Sequence, residues 1–413
     1  VTEKFQAPRG THDVLPSEQP LWQLVVGTLA EVAELYGYRR IQTPNFEDTE
    51  IFARTSGAGS DVVQKEMYTF EDRGGRSLTL KPEGTAPIAR AYIQHGMHRE
   101  PQPVKLYTVA PMYRYEAPQK GRYREHWQCS VEAFGSADPA VDAELIDLYS
   151  EFARRVGITK YVLQLNSIGD AVCRPAYLER LNAWLDAHDD LLDDDARHKR
   201  ARSPLRVFDV KNPQVRAALA GAPRIGDSLC AACTEHFARV RSYLDMLGIH
   251  YEIEPTLVRG LDYYTRTVFE FINPEEQAQP QICSGGRYDG LVEQLGGPPT
   301  PSIGFGAGIE RALIALEAED VTAERPRVDV FFVLDEGGPR EWIVRALATL
   351  RHAGVSADTD YAGRSVKGQM TQAGRTGART VVIVRAEDAV VRREGNDEDV
   401  VALDDVVATL TGP

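Results

Sequence analysis

Apolar side chains recur at Leu21, Leu24, Val25, Leu29, Val32, Ala33 and Tyr36. Steps of three and four put them on one face of a helix. Ser17 stands where an N-cap hydroxyl would open that helix, and Gly37 where it would end. A short strand through Arg40 and Ile41 follows, stopped by Pro44. Strand-like segments then recur at 78–80, 105–110, 131–134, 162–166, 267–272 and 303–306, with turns and a few helices between them. Strands that do not alternate strictly with helices predict an α+β domain on an antiparallel-rich sheet.

Residues from about 168 to 250 break this pattern and read as helices and loops, an insertion within one domain. Asp189, Asp190, Asp193, Asp194 and Asp195 lie beside Arg197, Lys199, Arg200 and Arg202. Such charge runs are read as a solvated face. Arg325, Pro326 and Arg327 mark a boundary. Beyond it the order becomes strand (328–334), helix (339–353), strand (355–358), helix (365–373) and strand (380–385), a small α/β domain with parallel strands. The expected organisation is a domain over 1–325, carrying a helical insertion at about 168–250, and a second over 326–413.

Composition narrows the class. Of 413 residues, 43% are hydrophobic and 26% charged, enough for a globular core. No stretch approaches the ~18 consecutive apolar residues of a membrane helix. The first ten residues hold Lys4 and Arg9 and no apolar run, so no membrane partner and a cytoplasmic location are expected. A net charge of −14 argues against coating by bulk nucleic acid but leaves local basic patches open. Five cysteines, an odd number, argue against a disulfide framework. Cys230 and Cys233 have C-x-x-C spacing, with His236 three residues on. No second pair completes four ligands, so they are read as free cysteines on a short helix, with no bound metal.

Two segments carry more chemistry. Arg114-Tyr-Glu116 leads into a loop with Lys120, Gly121, Arg122, Tyr123 and Arg124, then Gln128 and Glu132. An arginine on a strand can aim a two-pronged donor at phosphate, and the nearby carboxylate can accept from an amino group. By itself the segment also reads as a solvated basic hairpin. In Gly304-Phe-Gly306-Ala-Gly308-Ile-Glu310-Arg311, alternate glycines clear one face of a strand, where a flat ligand such as a purine could lie. A helix is expected from about Ile309, with Arg311 in its first turn. The plain alternative is a glycine-rich packed strand with Glu310 and Arg311 as a surface pair.

Together the two segments resemble motifs 2 and 3 of class II aminoacyl-tRNA synthetases, and the helix–strand–proline unit ending at Pro44 resembles motif 1, the dimer element. Arg259-Gly-Leu-Asp262-Tyr263-Tyr264-Thr-Arg and Ser284-Gly-Gly-Arg287-Tyr288-Asp289-Gly are similar to the two histidine-specific motifs of histidyl-tRNA synthetases. Arg9-Gly-Thr-His-Asp13 and Lys81-Pro-Glu83-Gly-Thr85 resemble the same family. The likeness covers nearly the whole chain. A non-catalytic paralogue, the regulatory subunit of the ATP phosphoribosyltransferase of histidine biosynthesis, shares the catalytic fold. It typically lacks the C-terminal domain and parts of the histidine-specific motifs, which are present here.

The resemblance implies ligation of L-histidine to its tRNA in two steps, through a histidyl-adenylate made from ATP with release of pyrophosphate. It implies Mg²⁺ bound through the ATP phosphates, a homodimer, and a C-terminal anticodon-binding domain. Arg259 and Arg114 would be catalytic, holding the α-phosphate and the histidine carboxylate. Arg122 and Arg311 would meet the outer phosphates, and Glu116 the adenine amino group. Glu83, Thr85 and Gln128 would accept from the histidine ammonium, Glu132 and Tyr264 would serve the imidazole, and Tyr263 and Tyr288 would wall the pocket. Arg9, Gln119, Arg364 and Lys367 would contact tRNA. Two positions depart from the family pattern: Ala117 stands where arginine is usual, and His126 where an adenine-stacking phenylalanine is usual.

Overall fold

The computed structural model describes residues 4–56, 62–210, 212–261, 263–276, 279–395 and 398–411. Asp262 of the first histidine-like motif lies outside them. The chain divides into two compact units, Val1–Ala323 and Glu324–Pro413.

The amphipathic stretch near the N-terminus forms the helix Gln19–Leu35, burying Val25, Leu29, Val32 and Ala33. Its N-cap is Glu18, not Ser17, and no side chain caps it; Pro20 fits the first turn, where its missing N–H costs nothing. The Glu18 carboxylate instead accepts from the Leu15 N–H at 2.7 Å. Gly37 takes φ +81° as the chain leaves the helix, a conformation glycine reaches without Cβ strain.

The first unit is organised by eleven strands: β1 (Arg39–Arg40), β2 (Phe46–Asp48), β3 (Tyr68–Glu71), β4 (Ser77–Leu80), β5 (Val104–Tyr113), β6 (Glu125–Phe134), β7 (Val162–Ser167), β8 (Glu252–Ile253), β9 (Thr265–Ile272), β10 (Gln281–Arg287) and β11 (Ser302–Gly308). Eight of them form a sheet in the order β1-β5-β6-β11-β10-β9-β7-β8. The two outermost pairs are parallel and every pair between them is antiparallel. The strands β2, β4 and β3 make a separate small antiparallel sheet. This is the α+β, antiparallel-rich architecture expected from the strand pattern.

Each face of the large sheet has its own core. On one, Val25 and Leu29 of the first helix meet Tyr149 and Phe152 of the helix Pro139–Val156 and Leu316 of the helix Ile309–Ala318, over Phe269, Phe271 and Phe305. On the other, Tyr92, Phe134, Tyr264, Val268 and Tyr288 join Leu181, Leu185 and Val207. Those last three belong to the segment between β7 and β8, whose helices are Arg174–Ala187, Asp194–Arg202, Pro213–Ala218 and Ala231–Leu247. Its mixed charges pair at the surface, Arg197 with Asp189 and Asp194, and Lys199 with Asp195.

The second unit is a five-stranded sheet of β12 (Val330–Leu334), β13 (Ala357–Thr359), β14 (Thr380–Val384), β15 (Asp388–Arg393) and β16 (Glu398–Ala402), in the order β13-β12-β14-β15-β16. The strands β13, β12 and β14 are parallel, as the alternation with helices predicts. Two further strands, β15 and β16, which the sequence pattern did not indicate, add antiparallel. A tight connection of fewer than five residues leaves no room for the crossover a parallel strand needs.

Candidate active site

The basic segment 114–124 leaves β5 and returns as β6. At its tip Gln119 and Arg122 pair across a turn that Gly121 makes at φ +72°. Its base is held from outside: Arg124 N donates to Gly10 O at 2.7 Å and the His12 ring packs on Tyr123 with centroids 4.6 Å apart. A Cβ on Gly10 would lie 2.8 Å from the Arg124 side chain, so glycine permits this approach. The N-terminal motif and the hairpin therefore form one rim, with Arg9, Ala117 and Gln119 exposed on it.

Inside that rim a cleft is lined by Arg114, Glu116, Arg122, His126, Gln128, Arg259, Ser284, Gly306, Gly308, Glu310 and Arg311. Arg114 donates to Pro82 O at 2.8 Å and lies 3.8 Å from Glu116, which also pairs with Arg122. Among the described residues Arg311 donates to neutral oxygens: Gly121 O at 3.1 Å, Gln281 O at 3.0 Å and Oε1 at 3.3 Å, and Gln279 Oε1 at 3.0 Å. Burial, and then repulsion from Arg114 and Arg122, pulls its guanidinium down to about 10. Burial beside Arg114 and Arg311 likewise pushes His126 down to about 3, so its ring is neutral. The cleft thus concentrates positive charge that the protein leaves partly uncompensated, the electrostatics of a polyphosphate site.

Arg259 reaches the same cleft from the loop before β9. It pairs with Glu270 and donates to Ser284 Oγ at 2.8 Å. These two are directly opposite on β9 and β10, so one guanidinium bridges the strand pair. Burial disfavours its charge, but Glu270 more than restores it. Tyr264 stacks beneath, with its ring centroid 5.2 Å from the guanidinium carbon.

Next to the arginines is a buried polar cluster. The Glu83 carboxylate accepts from the backbone N–H groups of Thr85 at 2.6 Å and Ala86 at 2.9 Å, at the start of the helix Thr85–Gln94. Thr85 Oγ1 donates to Glu132 at 2.7 Å and the Tyr288 hydroxyl donates to its other oxygen. Burial, with help from nearby Glu83, raises Glu132 to about 8, even though both donors favour the charged form. Tyr263, Tyr264 and Tyr288 pack as a cluster with centroids 4.7–6.5 Å apart. Tyr288 is thus a hydrogen-bond partner of Glu132 as well as a wall.

Of the alternate glycines, Gly304 makes room for a side chain of the protein itself. A Cβ on Gly304 would lie 1.7 Å from a Glu132 carboxylate oxygen, and one on Gly306 would lie 2.6 Å from Gln128 Nε2. β11 pairs with β6, and Gly304 sits opposite Glu132. The space these glycines leave is filled by the pocket's own polar side chains. Only Gly306 and Gly308 also line the cleft where a flat ligand could lie. Glu310, read in the plain alternative as a surface residue, is buried, and its carboxylate accepts from Trp127 N at 2.9 Å. Burial raises it to about 7.

Sequence reasoning missed three partnerships. Glu270 and Ser284 engage Arg259; the only sign of Glu270 was a carboxylate interrupting an apolar run. Arg287 is fully buried and pairs with Asp142 at 2.6 Å, while Asp142 also meets His236 at 3.0 Å. His236 is therefore spoken for by Asp142. Arg364 and Lys367, in the second unit, are not part of this site. Arg364 pairs with Asp360, and Lys367 is exposed on the helix Val366–Arg375.

Comparison with known proteins is consistent with this geometry. The family model described as histidyl-tRNA synthetase matches residues 10–312. A histidine–tRNA ligase of Moorella thermoacetica is 50% identical over 384 residues, covering 92% of this chain and 90% of its own. One from Desulforudis audaxviator is 48% identical over 381 residues, covering 92% and 91%. The apo S. aureus histidyl-tRNA synthetase crystal structure superposes with a TM-score of 0.83 at 37% identity, covering 99% of this chain and all of that one.

Proposed function

The chain belongs to the histidyl-tRNA synthetase family, and from that premise we propose how its site performs the ligation of histidine to tRNA. It is a histidine–tRNA ligase that uses ATP. The observation that carries the reading is an arginine-lined cleft beside a buried cluster of polar side chains. The cleft gathers Arg114, Arg122 and Arg311, and burial first and then repulsion from the other two draws Arg311 down to about 10. The cluster joins Glu83, Thr85 and Glu132. Arg259 lies at the cleft with Tyr264 against it.

In this reading Arg114 and Arg259 hold the α-phosphate and the histidine carboxylate together. Attack of the carboxylate on phosphorus expels pyrophosphate, and a transferred phosphoryl group needs positioning and charge neutralisation more than a protein nucleophile. Arg259 must exchange part of its pairing with Glu270 for the substrate, so its charge is pre-positioned rather than free. Arg122 and Arg311 take the outer phosphates, and Arg122 then releases Glu116 to accept from the adenine amino group. His126, neutral beside these arginines, offers adenine a planar face without adding charge.

Mg²⁺ entering with ATP would neutralise phosphate charge. The carboxylates lining the cleft, Glu116 and Glu310, fit such an ion. Glu310 is the better fit, because Glu116 is already paired with Arg114 and Arg122, whereas the Glu310 oxygens accept only from the Trp127 N–H among the described hydrogen bonds.

Histidine offers an ammonium, a carboxylate and a neutral imidazole. Glu83 and Gln128 suit the ammonium, with Thr85 fixing the Glu132 carboxylate that takes the imidazole N–H. Tyr264 serves the other ring nitrogen. The exposed rim of Arg9 and Gln119 is placed to meet the tRNA acceptor end. Arg364 and Lys367 of the second unit would meet the anticodon side. The motif 1 segment would make a homodimer, and the location would be the cytoplasm. Among the described residues no helix is long and apolar enough to cross a membrane.

The regulatory-subunit alternative is disfavoured because Arg259, Glu83 and the second unit are all present. ATP–pyrophosphate exchange measured with each of the twenty amino acids tests the proposal. Exchange stimulated by histidine alone supports it, and no stimulation by histidine overturns it.

A further inference from the structure

The C-x-x-C pair gains partners in three dimensions. Asp170, Cys173, Cys230 and Cys233 each offer one ligand atom, and all four atoms lie within 4.8 Å of one another. The separations are 3.8 Å from Cys173 Sγ to Cys233 Sγ, 3.4 Å from Cys173 Sγ to Asp170 Oδ1 and 3.9 Å from Cys230 Sγ to Asp170 Oδ1. Tetrahedral zinc with Zn–S bonds of about 2.3 Å and Zn–O bonds of about 2.1 Å sets its ligands about 3.5–3.8 Å apart. The missing half of the site is thus a D-x-x-C turn sixty residues upstream, and His236 takes no part.

The local chain is shaped around these atoms. Gly169 has φ +63°, and a Cβ there would lie 2.6 Å from Cys173 Sγ. Asp170 N–H points at the same sulfur at 3.2 Å. Cys173 is the N-cap of the helix Arg174–Ala187, Cys230 is the N-cap of the helix Ala231–Leu247, and Cys233 is in that second helix's first turn. Both positive helix ends therefore face the sulfurs. Arg266 holds the outer oxygen of Asp170 at 3.3 Å, orienting the carboxylate and offsetting its charge as groups behind metal ligands do. Thiolates select zinc over the oxygen-seeking cations.

We propose that Asp170, Cys173, Cys230 and Cys233 bind one zinc ion, which clamps the inserted helical segment to the end of β7. The clamp adjoins the amino-acid site. Arg174, next to Cys173, donates to the carbonyls of Tyr264 and, at 3.0 Å, Ile168. Arg266 follows Tyr264 by two residues. The ion thereby braces the loop that carries Arg259, Tyr263 and Tyr264. That consequence rests on the ligase reading; metal binding itself does not.

The test is metal analysis of the purified full chain by mass spectrometry, with cobalt replacement followed by absorption spectroscopy. About one zinc per chain is expected, with intense thiolate-to-cobalt charge transfer in the cobalt form. Cys233→Ser and Asp170→Asn should each weaken zinc retention against a chelator by at least about tenfold, while Cys129→Ser should not. If a variant misfolds, titration of zinc into metal-free wild-type chain gives the same answer. Failure of that chain, kept reduced, to take up zinc overturns the proposal.

Discussion

Glu132 is where burial and function oppose each other most sharply. Its carboxyl, raised to about 8, is protonated in the folded, ligand-free protein under conditions where the unfolded chain, near 4.5, is ionised. The native state therefore binds the extra proton, and stability from this group is fully present below about pH 4.5 and lost as pH rises through about 8. Glu132→Gln should raise the thermal midpoint of the ligand-free protein above about pH 8 and weaken histidine binding about 10- to 100-fold, the worth of a charge-assisted hydrogen bond. ATP binding should stay near wild type. Calorimetry in buffers of different ionisation enthalpy should show a proton released on histidine binding by wild type and not by the variant. Equal histidine affinity in both proteins would reduce Glu132 to a structural role. Arg259→His should slow single-turnover adenylate formation by on the order of 10²-fold, about 3 kcal/mol of transition-state stabilisation. It also leaves Glu270 without its main cation, so folding must be verified by circular dichroism; a rate within threefold of wild type would sink the catalytic assignment. Both residues were reached in the sequence through family resemblance. The Arg259 partners Glu270 and Ser284 were not, because contacts brought together across a strand pair have no local signature.

At the scale of elements, the glycines of β11 make a sharper test of the site than its charged residues do. Gly304→Ala would place a methyl 1.7 Å from the Glu132 carboxylate and 2.6 Å from the Val131 carbonyl oxygen. One of these is backbone of a central strand, so relief must come from expelling Glu132. The substitution should raise the histidine KM at least about tenfold and cost about 1–3 kcal/mol in chemical denaturation, the usual range for overpacking. Gly306→Ala meets only the end of the Gln128 side chain, so it should be milder on stability; equal losses in the two variants would contradict this account. Strands with continuous apolar character, such as β5, β7 and β9, were legible within a few residues. β10 was not, because Gly285 and Gly286 depress strand propensity although their backbone packs against Gly304 O and Thr267 O. The start of β6 was missed for a related reason: His126 and Gln128 are polar because they face the cleft. The hairpin β15–β16 is edge structure whose alternation is blurred by charge, with Arg392 and Arg393 pairing across it to Glu398 and Asp399.

At the scale of the molecule, the question is what the second unit adds to a first unit that supplies the described residues lining the cleft. The alternation of elements in the sequence changes at Arg325–Arg327, and the two compact units meet in the chain at Ala323/Glu324. Electrostatics give the second unit a specific task. From 361 to 386 the chain holds Arg364, Lys367, Arg375, Arg379 and Arg385 and no acidic residue, although 328–413 carries 10 Lys+Arg against 14 Asp+Glu, a net of −4. Folding trims this patch: Arg364 pairs with Asp360, Arg379 approaches Asp329 at 3.8 Å, and Arg385 approaches Asp388 at 3.8 Å. Among the described residues Lys367 and Arg375 have no ion pair, and both are exposed on the helix Val366–Arg375 or its end. An RNA phosphate backbone is attracted to such a patch, and the attraction falls with salt. The arginine cleft and the Glu132 pocket draw every lining residue from the first unit. A chain ending near Arg325 should therefore still form histidyl-adenylate at close to the full rate, yet charge tRNA far more slowly at sub-saturating tRNA. Lys367→Glu with Arg375→Glu in the full chain should reproduce the tRNA defect, raising the tRNA KM and flattening its dependence on salt, while pyrophosphate exchange stays unchanged. Sedimentation and a thermal melt must first show the truncated chain folded and in the same oligomeric state as the parent. A folded truncation that charges tRNA as fast as the full chain would mean that the second unit does not position tRNA.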